Sequence, residues 1–174
     1  LAAGELRKDA DQRAAVVQLE RVQSDLEAGS ARKGLLGGLL GKKPQPVRGL
    51  YMWGGVGRGK SMLMDLFVET LGIAEKRRAH FHEFMLEVDR RMRERRTSDP
   101  GDPTGKVARD IAADVRCLAF DEMVVNNTAD AAIMARLFTA LIRDEGVTVV
   151  TTSNRPPRDL YKDGLNRSLF LPFI

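Results

Sequence analysis

The feature that most constrains this chain is the run Gly-Gly-Val-Gly-Arg-Gly-Lys-Ser at residues 54–61, which fits the P-loop pattern of Gly, four residues, Gly, Lys and Ser or Thr. An apolar run precedes it, and a helical pattern over residues 60–72 follows it. Glycines let the backbone turn so that several N–H groups point at a phosphate, and the helix N-terminus adds its positive dipole end. The sequence therefore predicts a phosphate-binding loop between a strand and a helix.

The last residues of the pattern carry its charged and polar chemistry. Lys60 has the position from which an ammonium group reaches the β- and γ-phosphates, and Ser61 has the position whose hydroxyl ligates Mg²⁺. The residues predicted to contact the nucleotide are Gly54, Gly55, Val56, Gly57, Arg58, Gly59, Lys60, Ser61 and Met62. The sequence lacks the guanine-reading Asn-Lys-x-Asp motif, which disfavours a GTPase.

Short runs typical of buried strands alternate with helical patterns. The strand runs are residues 49–53, 79–82, 115–120 and 147–152, and the helical patterns cover residues 60–72, 83–96 and 128–144. Parallel strands need crossover connections, and those connections are usually helices. The alternation predicts an α/β fold of the three-layer P-loop NTPase type, with helices on both faces of a parallel sheet. A Pro- and Gly-rich surface loop is expected at residues 97–105.

Polar side chains follow the third and fourth predicted strands. Asp121 and Glu122 come directly after the third strand, at the carboxyl end, where α/β proteins bind ligands. We assign Asp121, together with Ser61, to the Mg²⁺ shell, and Glu122 to the general base that activates the attacking water. Asn154 follows the fourth strand. If these strands are neighbours, Asn154 faces the γ-phosphate and holds the water or senses hydrolysis.

The residues before the P-loop divide into a helix and a linker. Apolar residues at spacings of four, three and four predict an amphipathic helix over residues 9–28, namely Ala15, Leu19, Val22 and Leu26. Gly29 is expected to end this helix, and the Gly- and Pro-rich stretch that follows is typical of a linker. We therefore predict an N-terminal part, residues 1–46, and a nucleotide-binding core, residues 47–174.

Composition and charge limit the class of protein and the cellular environment that the sequence suits. Apolar residues make up 43% of the chain, enough for a sizeable core, and no run of 18 of them indicates a membrane span. The single cysteine, Cys117, cannot form an internal disulfide, so a reducing interior is expected. Residues 76–96 hold eight Lys/Arg against four Asp/Glu, an excess equal to the net charge of +4 of the whole chain.

Three features near this basic stretch leave alternatives open. The arginine-rich residues 90–96 suit nucleic acid, a membrane surface or an acidic partner, and they suit a solvated helix face equally well. His80 and His82 lie two apart on a predicted strand, a possible metal spacing, but the lack of a cysteine or a third ligand favours buried, hydrogen-bonded imidazoles. Phe81, His82 and Phe84 lie where unfoldases carry a substrate-gripping pore loop, and core packing is the favoured alternative.

The P-loop, the Asp-Glu pair and the Ser-Asn strand end together resemble an AAA+ ATPase. Longer stretches resemble the ZapE family of bacterial cell-division ATPases, which has mitochondrial relatives. Those stretches are residues 50–54, 81–85, 120–122, 129–131, 153–157, 160–165 and 169–174. The segment that begins Asn154-Arg-Pro-Pro is highly specific, and the resemblance extends from about Asp9 to the last residue.

The resemblance implies a role for each motif. It assigns Walker A to residues 54–61, Walker B to Asp121 and Glu122, and sensor 1 to Asn154. One departure follows Walker B, where Met-Val-Val-Asn-Asn at residues 123–127 replaces the expected Phe-Gln-Val-Thr-Asp. This departure affects the contacts of that loop and leaves the catalytic pair intact.

The resemblance also implies an arginine finger and a lid. Arg167 falls at the position of the finger, which acts in trans by entering the nucleotide site of a neighbouring subunit. A solvated surface arginine is the alternative for Arg167, and Arg155 or Arg158 could serve instead. The chain ends within an apolar run, and we therefore expect it to be a fragment. The resemblance implies a fifth strand and a helical lid with a sensor 2 arginine beyond Ile174.

For function, the resemblance implies ATP hydrolysis by an oligomeric AAA+ protein that remodels a protein partner, with the division protein FtsZ as an expected target. It implies the bacterial cytoplasm as the location, with peripheral membrane contact, or the mitochondrial matrix for a relative there. The alternatives are a nucleotide-gated scaffold and a nucleic-acid-associated AAA+ loader, and nucleic acid is the less favoured partner.

Overall fold

The computed structural model describes residues 10–36, 47–98, 101–125, 128–164 and 167–170, and helices and strands alternate along them. The strands are β1 (Leu50–Trp53), β2 (Lys76–His80), β3 (Cys117–Asp121) and β4 (Thr148–Ser153). The helices are α1 (Ala10–Leu36), α2 (Lys60–Thr70), α3 (Phe81–Ser98), α4 (Thr104–Asp114), α5 (Thr128–Thr139) and α6 (Arg167–Phe170). A π-helical segment, Ala140–Asp144, continues α5, and a 3₁₀ turn spans Pro157–Asp159.

The four strands form one parallel sheet in the order β1-β4-β3-β2. β4 lies between β1 and β3, with Val150 opposite both Leu50 and Ala119. At the start of β1, Gly49 allows a close approach to β4, because a Cβ there would lie 1.8 Å from the Val149 carbonyl oxygen. The carboxyl ends of β1, β4 and β3 therefore meet at one edge of the sheet. The third and fourth strands are neighbours, which is the condition that the predicted role of Asn154 required.

Helices cover both faces of this sheet. On one face α1 and α2 pack through a buried cluster that includes Leu19, Val22, Leu26, Met52, Leu63, Met64, Phe67, Cys117, Ala119 and Val150. On the other face α3, α4 and α5 pack through a cluster that includes Phe81, Phe84, Val107, Ile111, Leu118, Phe120, Met134, Leu137 and Phe138. Alternate residues of β3 enter opposite clusters because successive strand side chains point to opposite faces. The predicted three-layer α/β fold is confirmed.

The first helix has the predicted amphipathic face but continues past its predicted end. Leu19, Val22 and Leu26 are buried, whereas α1 continues to Leu36 and does not stop at Gly29. A glycine costs only about 1 kcal/mol in a helix interior, and a Cβ at this position would lie 3.2 Å from the Arg116 guanidinium. The linker predicted after it includes residues 37–46, which lie outside the described residues, so the division at residue 46 stays a prediction.

The second strand lies earlier in the sequence than predicted. β2 spans Lys76–His80, and the helix α3 begins at Phe81, so the expected strand at residues 79–82 is wrong. Three charged residues at the start of β2 concealed it, and they are tolerated because β2 is an outer strand of the described sheet. His80 and His82 therefore do not share a strand face, and both are exposed, so the expectation of buried imidazoles is wrong. The described residues contain no group of three His, Cys, Asp or Glu side chains that could hold a metal ion.

The helix α4 was not predicted. We expected a loop over residues 97–105, but α4 begins at Thr104 and buries Val107, Ala108 and Ile111. Its buried residues Thr104, Val107, Ala108 and Ile111 recur at helical spacing, so periodicity could have indicated this helix. Among the described residues, no helix has both the length and the apolar character that crossing a membrane requires.

Phe81 and Phe84 pack in the core. Both are buried, and their rings meet Phe120 at centroid distances of 5.7 and 4.7 Å. Phe138 closes the cluster at 5.6 Å from Phe120. Each of these rings contributes roughly 2–3 kcal/mol by burial. Core packing is thus the role of these two phenylalanines, and the pore-loop alternative does not apply to their side chains.

Candidate nucleotide-binding site

The P-loop joins the end of β1 to the start of α2. Gly57 and Gly59 both have φ of 77°, a left-handed conformation that costs a residue with a Cβ about 1 kcal/mol or more. The N–H of Gly54 donates to the Ser153 carbonyl at 3.2 Å, which fixes the start of the loop against β4. Lys60 begins α2, so the helix N-terminus opens directly under the loop, as the pattern predicted.

Lys60 lies at the centre of the site. Its Nζ donates to the carbonyl oxygens of Gly54 at 2.7 Å and Gly55 at 2.8 Å, and to Oδ1 of Asn154 at 3.0 Å. The last contact joins residues that are 94 positions apart in the sequence. Asn154 follows β4, which lies beside β1 and β3, so the sheet order itself brings the amide to the lysine.

A cavity of about 340 Å³ lies over the loop, a volume at the lower end of the range of small-molecule sites. Its walls are residues 56–62, Glu122 and residues 152–154. These walls come from the carboxyl ends of β1, β3 and β4. Of the residues assigned from sequence, Lys60, Ser61, Glu122 and Asn154 share this cavity.

Glu122 adopts a strained conformation. Its φ is 56°, a left-handed value that costs a non-glycine residue about 1–3 kcal/mol. Its N–H donates to Oγ1 of the buried Thr152 at 3.0 Å. The next residue, Met123, donates its N–H to the Thr152 carbonyl at 2.8 Å and accepts from Ser153 Oγ at 2.8 Å. β4 therefore holds the backbone that presents Glu122.

Asp121 ends β3, and its carboxylate is almost wholly buried. Oδ2 accepts a hydrogen bond from Arg78 Nε at 2.7 Å, and that bond raises the pKa of Arg78 above its ordinary value, so the guanidinium stays charged. The other oxygen, Oδ1, is buried and has no hydrogen-bond partner among the described residues. An unpartnered buried carboxylate oxygen is costly and calls for a donor or a cation.

A second cavity, of about 420 Å³, adjoins the first. Asp121 lines it together with Arg78, His80 and Glu83, while Ser61 and Glu122 line both cavities. The oxygen of Ser61 and the free oxygen of Asp121 are the hard donors that Mg²⁺ prefers. The residues present therefore fit a magnesium ion between the two cavities.

The first turn of α1 contacts the P-loop. The amide of Gln12 donates to the Arg58 carbonyl at 3.1 Å, and the Arg58 guanidinium forms an ion pair with Asp11 at 3.0 Å. At Gly59 a Cβ would lie 3.0 Å from Gln12 Nε2. The N-terminal helix thus contacts the backbone that is expected to bind phosphate, a contact that sequence reasoning did not anticipate.

Arg167 lies apart from these residues. It begins α6, its Nη2 donates to the Arg158 carbonyl at 2.5 Å, and its Nε is buried without a hydrogen-bond partner among the described residues. Arg167 is absent from the residues that line the two cavities described above. Its assignment as an arginine finger for a neighbouring subunit stays a prediction.

Sequence reasoning missed Arg78, its second partner Asp65, and Thr152. A basic run inside a strand is one sign that could have pointed to Arg78, since such side chains near a buried sheet require acidic partners. A buried hydroxyl next to a strand end is a weak sign, because Thr is common in strands for its shape alone. Only the strand pairing shows which residue Thr152 contacts.

The chain is similar in sequence to a known protein family and to named proteins. A model of the AFG1-like ATPase family matches residues 1–174. The chain is 43% identical over 178 residues to "Cell division protein ZapE" of Escherichia coli strain K12, covering 98% of this chain and 46% of that protein. It is 46% identical over 141 residues to "Lactation elevated protein 1 homolog B" of Danio rerio, covering 76% of this chain and 28% of that protein.

Solved structures share the fold. AMPPCP-bound DnaA from Aquifex aeolicus matches with a TM-score of 0.59 at 14% identity, covering 96% of this chain and 46% of that chain. DnaI matches with a TM-score of 0.57 at 16% identity, covering 98% of this chain and 81% of that chain. At these identities the likeness shows the fold alone.

The chain spans less than half the length of the two curated relatives described above. Within that span the family model matches every residue, and the similarity to ZapE extends over nearly the whole chain. The resemblance seen in the sequence motifs is thus confirmed, and this chain belongs to the AFG1-like ATPase family.

Proposed function

We propose that this chain is the nucleotide-hydrolysing core of an AAA+ ATPase that binds ATP with Mg²⁺ and cleaves it. The observation that carries the proposal is the 3.0 Å hydrogen bond from Lys60 Nζ to Asn154 Oδ1, which joins the P-loop to the end of β4. Glu122 lines the same cavity from the end of β3. This combination is typical of a phosphoryl-transfer site: Lys60 supplies a cation that binds phosphate, Glu122 supplies a carboxylate that activates water, and the Asn154 amide lies in the same cavity.

Each residue has one task in the proposed reaction. The amide-lined loop and Lys60 hold the β- and γ-phosphates and offset the charge of the transition state. Glu122 accepts a proton from the water while the water oxygen bonds to the γ-phosphorus. The bond from that phosphorus to the bridging oxygen of ADP breaks, and Asn154 orients the water.

Two residues are proposed to hold the metal. Ser61 and Asp121 would ligate Mg²⁺, and the buried, unpartnered Oδ1 of Asp121 supports this assignment. When bound, Mg²⁺ neutralises charge on the β- and γ-phosphate oxygens. The protein's part is to keep the Ser61 hydroxyl and the Asp121 carboxylate on the wall of the second cavity.

We further propose that hydrolysis remodels a protein partner in bacterial cell division, with FtsZ as the expected target. The support is the similarity to a protein named for cell division. In this account the working form is a homo-oligomer in the cytoplasm, with peripheral membrane contact, and Arg167 of one subunit completes the nucleotide site of its neighbour. For a mitochondrial relative the matrix takes the place of the cytoplasm.

A nucleic-acid loader has less support, because four of the five arginines of α3 form ion pairs with acidic residues of this chain. The ion pairs are Arg90–Glu94, Arg91–Glu87, Arg93–Asp89 and Arg95–Asp110. Such pairs reduce the positive field that a polyanion would require, and they favour a solvated helix face. Binding to single-stranded DNA that weakens steeply with salt would support the loader, and absence of binding at low salt would exclude it.

The proposed function is tested by Glu122→Gln in the full-length protein. This change keeps the size of the side chain and removes the base, so we expect ATP turnover to fall about 10²- to 10⁴-fold. The Kd for a non-hydrolysable ATP analogue should stay within about twofold of wild type, since the loop and Lys60 are intact.

The matched control is Glu69→Gln, an identical change on the exposed surface of α2. It should leave both turnover and nucleotide affinity unchanged. Wild-type turnover by the Glu122→Gln protein would remove the general base from the proposal.

A further inference from the structure

The two oxygens of the Asp121 carboxylate have different surroundings. Oδ2 accepts from Arg78 Nε at 2.7 Å, and the buried Oδ1 has no hydrogen-bond partner among the described residues. The Asp121 side chain is only 10% exposed. A positive charge therefore lies against one oxygen of the carboxylate whose other oxygen is available to a cation.

Arg78 is shared between two carboxylates. Its Nη1 donates to Asp65 on α2 while its Nε donates to Asp121 on β3. Strand pairing places Arg78 opposite Ala119, two residues before Asp121, so both side chains point to the face that α1 and α2 cover. Arg77 points to the other face and pairs with Glu87 of α3.

The Arg78 guanidinium and the Asp65 carboxylate have opposite effects on the binding of a cation to Asp121. The guanidinium repels a divalent cation at the neighbouring oxygen, and in the low-dielectric surroundings of a buried carboxylate this repulsion is screened less than in water. Asp65 competes for the same guanidinium. Its side chain is 61% exposed, so its own field is screened and its influence is exerted mainly through Arg78.

We propose that Arg78, shared between Asp121 and Asp65, is a residue that lowers the affinity of the Asp121 carboxylate for Mg²⁺. This inference rests on the proposed function, because it takes Asp121 to be a metal ligand. Arg78 occupies one oxygen of the carboxylate, leaves the other without a hydrogen-bond partner among the described residues, and would limit how tightly a metal binds there. Asp65 draws the guanidinium partly away from Asp121 and so counteracts that limit.

The proposal predicts shifts of opposite sign for two substitutions. Arg78→Gln removes the positive charge, and the Mg²⁺ concentration for half-saturation should fall roughly fivefold. Asp65→Asn leaves Arg78 with Asp121 alone, and that concentration should rise roughly twofold because Asp65 is largely exposed. Arg78→Lys keeps the charge and should stay within about twofold of wild type.

The measurement is binding and does not depend on turnover. The affinity of the full-length protein for a fluorescent, non-hydrolysable ATP analogue is recorded in EDTA and during titration with MgCl₂, and Mn²⁺ binding is followed by electron paramagnetic resonance. Arg77→Gln is the matched control, since it makes the same charge change on the same strand but on the opposite face. Urea unfolding confirms that each variant is folded.

Each result decides the question. Opposite shifts for Arg78→Gln and Asp65→Asn, with Arg77→Gln near wild type, support the proposal. Shifts of the same sign, or a weaker metal affinity in Arg78→Gln, would mean that Arg78 only maintains the fold and would overturn it. If Mg²⁺ leaves nucleotide affinity unchanged in the wild-type protein, the proposed function fails, and this inference fails with it.

Discussion

The strained backbone at Glu122 predicts a large and selective effect for Thr152→Val. Valine keeps the shape of this buried side chain and removes Oγ1, which accepts the Glu122 N–H at 3.0 Å. A partly buried N–H left without its acceptor costs about 1–2 kcal/mol. For a domain of this size that loss lowers Tm by about 3–6 °C.

The effect on activity should exceed the effect on stability. The left-handed conformation of Glu122 costs about 1–3 kcal/mol, so without the Thr152 acceptor the backbone relaxes and the carboxylate moves. A displacement of about 1 Å at a catalytic group can cost 10²-fold in rate. We therefore expect ATP turnover to fall about 10- to 100-fold, with the affinity for an ATP analogue within about twofold of wild type.

Steady-state turnover, analogue binding and thermal unfolding of the full-length protein measure these three quantities. Thr151→Val is the matched control, because Thr151 is equally buried on the same strand and its Oγ1 has only a 3.3 Å contact to the Thr152 carbonyl. Its turnover should be near wild type. Equal turnover in Thr152→Val and Thr151→Val would refute the argument that Thr152 holds Glu122.

Three other predictions follow from named contacts. The Arg167→Ala protein should bind ATP but turn it over slowly. Mixing it with a Lys60→Ala protein should restore turnover, because Arg167 of the Lys60→Ala subunit then enters the intact nucleotide site of the Arg167→Ala subunit. No gain in turnover on mixing would argue against a finger in trans. Burial raises the pKa of Cys117 to about 12, so at pH 8 Ellman's reagent should label it only as fast as the protein unfolds, and rapid labelling of the native protein would contradict this. The hydrogen bond from Arg77 lowers the pKa of Glu87. Glu87 therefore stabilises the fold above its unfolded-state pKa of about 4.3, and Glu87→Gln should reduce the urea midpoint at pH 7 but lose that effect as the pH falls through the folded-state pKa.

Much of the site could be predicted because its motifs define both chemistry and position. The P-loop pattern needs a strand before it and a helix after it, and β1 and α2 lie at those places. Asp121 ends β3, and Glu122 and Asn154 directly follow β3 and β4. Their meeting at one edge of the sheet therefore required only that β3 and β4 be neighbours.

The parts that could not be predicted depend on contacts between distant elements. β2 was placed too late because Lys76, Arg77 and Arg78 are not typical strand residues. Lys76 donates to the Val68 and Leu71 carbonyls at 2.6 and 2.7 Å, and the carboxylates of Glu87, Asp65 and Asp121 pair with Arg77 and Arg78. Such partners come from three different elements. No local pattern indicates a bond from Arg78 to Asp121 or from Glu122 to Thr152.

The proposed ATPase function depends most on the binding of a triphosphate against the loop after β1, with Asp121 and Glu122 beside it. A crystal structure of the full-length protein with Mg²⁺ and a non-hydrolysable ATP analogue tests this directly. We predict the γ-phosphate in contact with Lys60 Nζ, the metal near Ser61 and Asp121, and a water between Glu122 and the γ-phosphorus. An analogue bound away from Lys60, or a metal without contact to Ser61 and Asp121 directly or through its waters, would contradict the account.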